Sequence, residues 1–416
     1  MKRIVLYAIM ALCLISSSCD AQTRRRGGGH EGNSEPTQKT ETIKPASNKP
    51  VVNVYIENSG SMDGYLKGVT EFESAVYNYL SDIKISDITD TLNLYYINSE
   101  IISYAQSADA DVIRDFISKL EPNEFKKRGG NRGTSDIADV IKSILKETRD
   151  GVISIMVTDG IFSPGKGKDA EAYLVNQEIG IKTSMAEHLN KYPKSAVILY
   201  QLSSKFDGTY YNKVDAKIPL NNVQRPFYIW IFGQASDLAA LREAVPENKF
   251  NGSGVEKMFS IVAGNQRVDY AVKPKSGNFC VSRNNPKTEI NKLKADRDGK
   301  VRFSVNADFK DLLLDESYII DSRNYELQIY DLKVAPKTDS KYTHTITLAT
   351  ENRKQKNGEL SIKLMMTEPN WDDVNDPIGL EAVPGKTYGI KYQISGIYKA
   401  FANKANYYTE LIINIK

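Results

Sequence analysis

The side chains best suited to chemistry lie close together in the first third of the chain. Glu57, Ser59 and Ser61 occupy alternate positions in the loop after the apolar run Val51 to Ile56, and Thr158, Asp159 and Gly160 close a second apolar run, Val152 to Val157. A buried strand that delivers an acid and two hydroxyls into a glycine-containing loop ahead of a helix gathers oxygen ligands at its carboxyl end. That is the end at which open α/β sheets bind ligands. The same residues admit an enzyme, with Ser59 or Ser61 as nucleophile and Asp159 or Glu57 as base. Serine, however, needs a positioned base, usually histidine. The three histidines are His30 in a polar N-terminal segment, His188 in a helical run and His344 in a β-rich region. Neither serine sits in a GxSxG elbow and no complete GxxxxGK[ST] phosphate loop is present, the run Gly160 to Lys166 being followed by Gly167 and not by Ser or Thr, so hydrolysis is the weakest of the readings and the chain is expected not to be an enzyme.

The elements that must hold these residues alternate strand and helix. Leu66, Val69, Phe72, Val76, Tyr79 and Leu80 recur at helical spacing after the first strand. Leu92 to Ile97 and Ile101 to Tyr104, split by Asn98 and Ser99, predict a hairpin. Val112 to Leu120 predicts a short helix, and the Gly-rich basic loop Lys126 to Gly133 leads into Thr134. Ile137, Val140, Ile141, Ile144 and Leu145 then give an i, i+3, i+4, i+7, i+8 face, for which Thr134 or Ser135 is a suitable cap. The continuous apolar run Val152 to Val157 suits a strand buried on both faces. Glu171 to Lys191 predicts a long helix, Ala196 to Leu202 and Phe227 to Phe232 two core strands, and Leu238, Leu241 and Val245 a closing helix. The segment Ser203 to Arg225 fits no element, and the largest departure from a plain sheet is expected there.

At these junctions the chain resembles the von Willebrand factor A-like domain over roughly Lys49 to Val245. Glu57, Ser59 and Ser61 fall on that family's DxSxS motif, with Glu in place of the first Asp; Gly133, Thr134 and Ser135 match its second segment, and Thr158, Asp159 and Gly160 its third. The resemblance implies a Rossmann-like α/β fold and a metal-ion-dependent adhesion site. Its hydroxyl ligands would be Ser59, Ser61 and Thr134, and its acids Glu57 and Asp159, acting largely through ordered waters. It further implies Mg²⁺, with Mn²⁺ or Ca²⁺ as substitutes, and a partner protein that offers an acidic side chain. Neutral hydroxyl ligands leave the ion's charge poorly quenched, so an octahedral ion that keeps waters can exchange one for a partner's carboxylate.

Residues 1–18 combine Lys2 and Arg3, an apolar run from Ile4 to Ile15 and three serines, the pattern of a secretory signal. Cys19 directly follows and resembles the lipidated acceptor cysteine of bacterial lipoproteins, although Ser16 stands where that family more often has Leu. Acylation there implies an envelope protein held at a membrane, the outer membrane by preference. Residues 19–48, rich in Gly, Ser, Thr, Pro and charge, bury too little to fold and predict a disordered tether reaching about 30 Å. With Cys13 removed and Cys19 acylated, only Cys280 remains, so no intramolecular disulfide forms. Fifty-five basic against 52 acidic residues give no argument for nucleic acid.

The 416 residues leave room for two or three domains. Helical periodicity fades near residue 248. Lys300 to Val305, Tyr325 to Leu332, Thr343 to Ala349, Glu359 to Leu364, Tyr388 to Ile394 and Tyr407 to Ile415 alternate instead, which predicts a mainly antiparallel, sandwich-like β domain over 248–416 after an A-like domain over 49–247. Asp372 to Asp376, beside Trp371, is oxygen-rich enough for a calcium loop, but a solvated turn is the preferred reading. The functional expectation is a membrane-anchored lipoprotein that binds a protein partner through a divalent metal. The alternative is a structural envelope lipoprotein whose A-like domain is degenerate and metal-free, because Glu57 departs from the motif.

Overall fold

The computed structural model describes residues 49–133, 136–162, 164–337 and 341–416. The signal, the tether, Cys19 and Thr134 therefore lie outside the described residues. Seven strands form one mixed sheet: β1 (Val51–Glu57), β2 (Thr91–Ile97), β3 (Ile101–Ala105), β4 (Val152–Thr158), β5 (Ser195–Tyr211), β6 (Lys217–Gln234) and β7 (Lys257–Val262). Their order is β3-β2-β1-β4-β6-β5-β7. β1 runs parallel to both β2 and β4, whereas β3, β5, β6 and β7 join by antiparallel pairing. β4 is buried at every position, as its unbroken apolar sequence requires for a central strand. The chain reaches β2 on one side of β1 and β4 on the other, so a topological switch point lies between β1 and β4 at their carboxyl ends.

Helices α1 (Glu71–Ile85), α2 (Ala110–Ser118), α3 (Pro122–Lys126), α4 (Ile137–Glu147), α5 (Ala170–Lys191) and α6 (Ala235–Ala244) connect these strands. α1 is capped by Thr70, whose hydroxyl accepts from the Glu73 amide at 3.3 Å. α4 is capped by Asp136, which accepts from the Asp139 amide at 3.1 Å, and not by Thr134 or Ser135. The carboxylate of Asp136 is the strong cap, and its second oxygen accepts from Gln177 of α5 at 2.8 Å.

The unassigned segment Ser203 to Arg225 is strand throughout, save its turn. β5 and β6 run on beyond the sheet as one long hairpin, with a register shift between Phe206 and Gly208. Ile218 and Leu220 do alternate with polar residues there, but Gly208 and Pro219 interrupt the run, so the sequence pattern assigns it no element. The return strand β6 occupies the place beside β4, so the sheet is mixed there and not plainly parallel.

After residue 248 the chain adds β8 (Tyr270–Val272), β9 (Cys280–Val281), β10 (Glu289–Asn291), β11 (Lys300–Ala307), β12 (Tyr325–Leu327), β13 (Asp331–Pro336), β14 (His344–Glu351), β15 (Gly358–Met365), β16 (Asn375–Asp376), β17 (Thr387–Tyr388) and β18 (Tyr407–Ile415), with helices α7 (Glu316–Ile320) and α8 (Ile390–Ala402). The five-stranded sheet β12-β15-β18-β10-β9 is antiparallel except between β10 and β18, and the four-stranded sheet β13-β14-β11-β8 is antiparallel throughout. Tyr270 of the smaller sheet donates to the Ile412 carbonyl of the larger at 3.1 Å and accepts from its amide at 3.0 Å, tying the two together.

Two elements cross the expected boundary at 248. β7 is an edge strand of the first sheet, and α8 lies against α5, where Gly396 leaves no space for a side chain against the Glu178 carbonyl. Of the run Tyr388 to Ile394, expected to be a strand, Tyr388 is strand in β17, and from Ile390 the run instead opens α8. Ile390, Ile394, Ile397 and Phe401 are all buried at helical spacing. Over the few residues 388 to 394 the same apolar positions also satisfy a period of two, and burial against α5 decides between the periods. Ser47–Lys416 is accordingly a single compact unit.

Candidate functional site

Three segments meet at the switch point. The loop after β1 turns at once into a short 3-10 helix, Ser61–Tyr65, which holds Ser59 and Ser61 with their hydroxyl oxygens 2.8 Å apart. The loop is pinned by Arg132, which sequence reasoning passed over as one basic residue among several. Its Nε donates to the Asn58 side-chain oxygen at 2.9 Å, its Nη2 donates to the Ser59 carbonyl at 3.0 Å and to Asp63, and its own carbonyl accepts from the Gly60 amide at 3.0 Å. Asn58 completes the clamp by donating to the Phe125 carbonyl at 3.1 Å.

β4 supplies the acid. Asp159 is wholly buried; its Oδ1 accepts from the Ile161 amide at 3.0 Å, and its Oδ2 has no protein partner among the described residues. Burial raises its pKa above the usual carboxylate value, while the Ile161 amide, the Ser61 hydroxyl and the Arg225 charge all favour the ionised form. Glu57, at the end of β1, accepts a hydrogen bond from Thr158 through Oε2, and the Thr158 hydroxyl accepts from the Gly160 amide at 2.9 Å. Glu57 is therefore bound to the neighbouring strand end through one of its oxygens.

Of the five residues expected to bind metal, the structure brings together Ser59, Ser61, Asp159 and Glu57 at adjoining strand ends; the fifth, Thr134, lies outside the described residues. The two serine hydroxyls and the orphan Asp159 oxygen suit a hard divalent cation, because each is an oxygen donor held by a fixed backbone. A cavity of about 220 Å³ opens over the serines and is lined also by Arg132, Tyr211 and Lys217. At about 30 Å³ per water this admits an ion with several waters. Among the described residues no three or more His, Cys, Asp or Glu gather as a metal-binding group, and a hydroxyl-based site with two acids is not of that kind.

Sequence reasoning missed Arg225, which lies one residue before Pro226 inside a strand and carries no local signal. It is 1% exposed, and its guanidinium carbon lies 4.6 Å from the centre of the Tyr210 ring. Gln393 of α8 was also missed; its amide donates to the Gly160 carbonyl at 2.8 Å, so the C-terminal region buttresses the strand-end loop. The remaining candidates are structural. His188 contacts the Leu145 carbonyl at 3.2 Å and the Ser195 hydroxyl at 3.0 Å, and His344 contacts Glu316 at 3.2 Å. Neither histidine is bonded to Ser59 or Ser61. The acidic run Asp372 to Asp376 holds a lysine: Lys257 pairs with Asp373 and lies 5.2 Å from the Trp371 ring centre.

No protein-family model, curated protein or solved structure matches this chain. Among the described residues no helix is long and apolar enough to cross a membrane.

Proposed function

We propose that this chain is a von Willebrand factor A-like lipoprotein of the bacterial envelope, anchored through Cys19, that binds an acidic side chain of a partner protein through a divalent ion. The observation that carries the metal is the unpartnered, wholly buried Oδ2 of Asp159 beside the paired Ser59 and Ser61 hydroxyls at the sheet's switch point. Ser59, Ser61 and Asp159 would hold the ion, with Glu57 and Thr134 completing the set as the resemblance implies. The ion supplies Lewis-acid attraction for a carboxylate, and the chain fixes its position through the Arg132 clamp. Binding is preferred to catalysis because the Ser59 and Ser61 hydroxyls are bonded to each other, while His188 and His344 are engaged elsewhere.

Calorimetric titration of the purified chain with Mg²⁺ and Mn²⁺ tests this. Binding is expected, weakened at least tenfold, or about 1.4 kcal/mol, by Ser59→Ala or Asp159→Ala. No heat and no thermal shift at millimolar metal would refute it. Cys19→Ala should abolish incorporation of a fatty-acid analogue, and persistent labelling would remove the anchor.

A second reading, a metal-free scaffold, is favoured by two observations: Glu57 already accepts a hydrogen bond from Thr158, and Arg225 is a buried cation level with the loop that begins at Asp159.

A further inference from the structure

We propose that Arg225 is a resident counter-charge of the strand-end site, one that competes with a divalent cation for Asp159 and so sets how tightly the site holds metal. This rests on the metal-binding reading above and extends it to a residue outside the ligand set.

The placement follows from strand register. Tyr228 of β6 pairs with Thr158 of β4, and Arg225 lies three residues further along β6, level with the loop that begins at Asp159. On the other side Arg225 pairs with Ser204 of β5. The side chain is thus held inside the sheet's end, not at its rim. None of its three nitrogens has a hydrogen-bond partner among the described residues. Its surroundings are aromatic: the face of Tyr210, and the hydroxyls of Tyr65 and Tyr228, both of which respond to its charge. Tyr65 itself donates to the Pro226 carbonyl at 2.6 Å. Two buried carboxylates, Asp159 and Asp376, act on the same Tyr210 hydroxyl as Arg225, and each has an Oδ2 without a protein partner.

A buried guanidinium persists only where opposite charge or a π face offsets its lost hydration. Here Tyr210 gives the face and Asp159 a counter-ion. The electrostatic balance then follows by charge. As carboxylates Glu57 and Asp159 would offer a divalent ion two negative charges, and Asp376 is a further buried acid of the same cluster. Arg225 adds one positive charge across a medium of low dielectric, where repulsion between cations is strong. It therefore weakens the hold on the ion.

The test is Mn²⁺ titration of the full chain by calorimetry, with circular dichroism as a check on folding. Arg225→Met and Arg225→Gln remove the charge and are expected to bind Mn²⁺ at least tenfold more tightly than the unaltered protein. Arg225→Lys restores the charge and should return the affinity to within about threefold of the unaltered value. Adding Asp159→Asn to Arg225→Met should abolish the gain. Should the unaltered protein bind no Mn²⁺ while Arg225→Met binds it, the inference stands and the metal-free reading applies to the natural chain. If the unaltered protein binds Mn²⁺ and neither neutral variant binds it more tightly, the inference is overturned while the metal-binding reading survives. Absence of binding in every variant overturns both. If a neutral variant is unfolded without metal, recovery of its native spectrum on adding Mn²⁺ supports the inference, and failure of both neutral variants to recover overturns it.

Discussion

Removal of Arg132 is the most direct perturbation of the candidate site that leaves every proposed ligand in place. In Arg132→Ala the loop after β1 loses the guanidinium's bonds to the Asn58 side chain, the Ser59 carbonyl and Asp63, but keeps the backbone bond from Gly60. Hydrogen bonds to a charged donor contribute roughly 1.5 to 3 kcal/mol each when buried. The Arg132 and Asp63 side chains are 15% and 23% exposed, so water replaces part of what is lost, and their ion pair counts for less than a buried one. The expected destabilisation is about 2 to 3 kcal/mol in total, read as a fall in the urea midpoint at constant slope. For a unit as large as Ser47–Lys416, that corresponds to a fall in Tm of only about 3 to 4 °C. Urea titration is therefore the sharper assay. Arg132→Lys should recover little, because a single ammonium cannot serve a carbonyl, an amide oxygen and a carboxylate through a planar fork. Metal affinity should fall with Arg132→Ala, since Ser59 and Ser61 would no longer be held 2.8 Å apart. A stability change below about 0.5 kcal/mol, the range of an ordinary surface substitution, would show that the loop is positioned by its backbone alone.

Two further outcomes follow from the packing and the electrostatics. A methyl group at Gly208 would lie 2.6 Å from the Gly64 Cα, backbone against backbone, where the hairpin passes the 3-10 helix. Gly208→Ala should lower stability by about 1 to 3 kcal/mol by urea titration, and a neutral result would show that the hairpin can shift without loss. Glu73, half-buried in the first turn of α1, has its pKa raised to about 7 by burial first and by the nearby Glu121 charge second. A folded-state value above the ordinary 4.5 means that the folded protein binds this proton more tightly, so the contribution is greatest below about pH 4.5 and is lost as the pH rises towards 7. Glu73→Gln should raise Tm at pH 8 relative to the unaltered protein and flatten its fall between pH 5 and 8; superimposable pH profiles would contradict the assignment.

The sequence by itself determined whatever depends on near neighbours. β1 and β4 were legible because burial on two faces demands an unbroken apolar run, the β2–β3 hairpin because Asn98 and Ser99 divide two short apolar runs, and α4 because its apolar face keeps helical spacing. The oxygen-bearing residues Glu57, Ser59, Ser61 and Asp159 were legible for the same reason: each lies at the end of such a run, and strand ends in an α/β sheet converge. Tertiary structure alone decided what depends on partners far along the chain. The hairpin past Ser203 projects beyond the sheet, Gly208 and Pro219 interrupt its few apolar positions, and pairing between β5 and β6 makes it strand. α8 satisfied two periods over its first residues, and α5 selected one. Arg132 and Arg225 resemble any other arginine in the sequence. One clamps a loop more than 70 residues away, and the other is buried against the Tyr210 ring at the end of the sheet; contacts of this kind join residues through space, so neither role leaves a trace in local spacing.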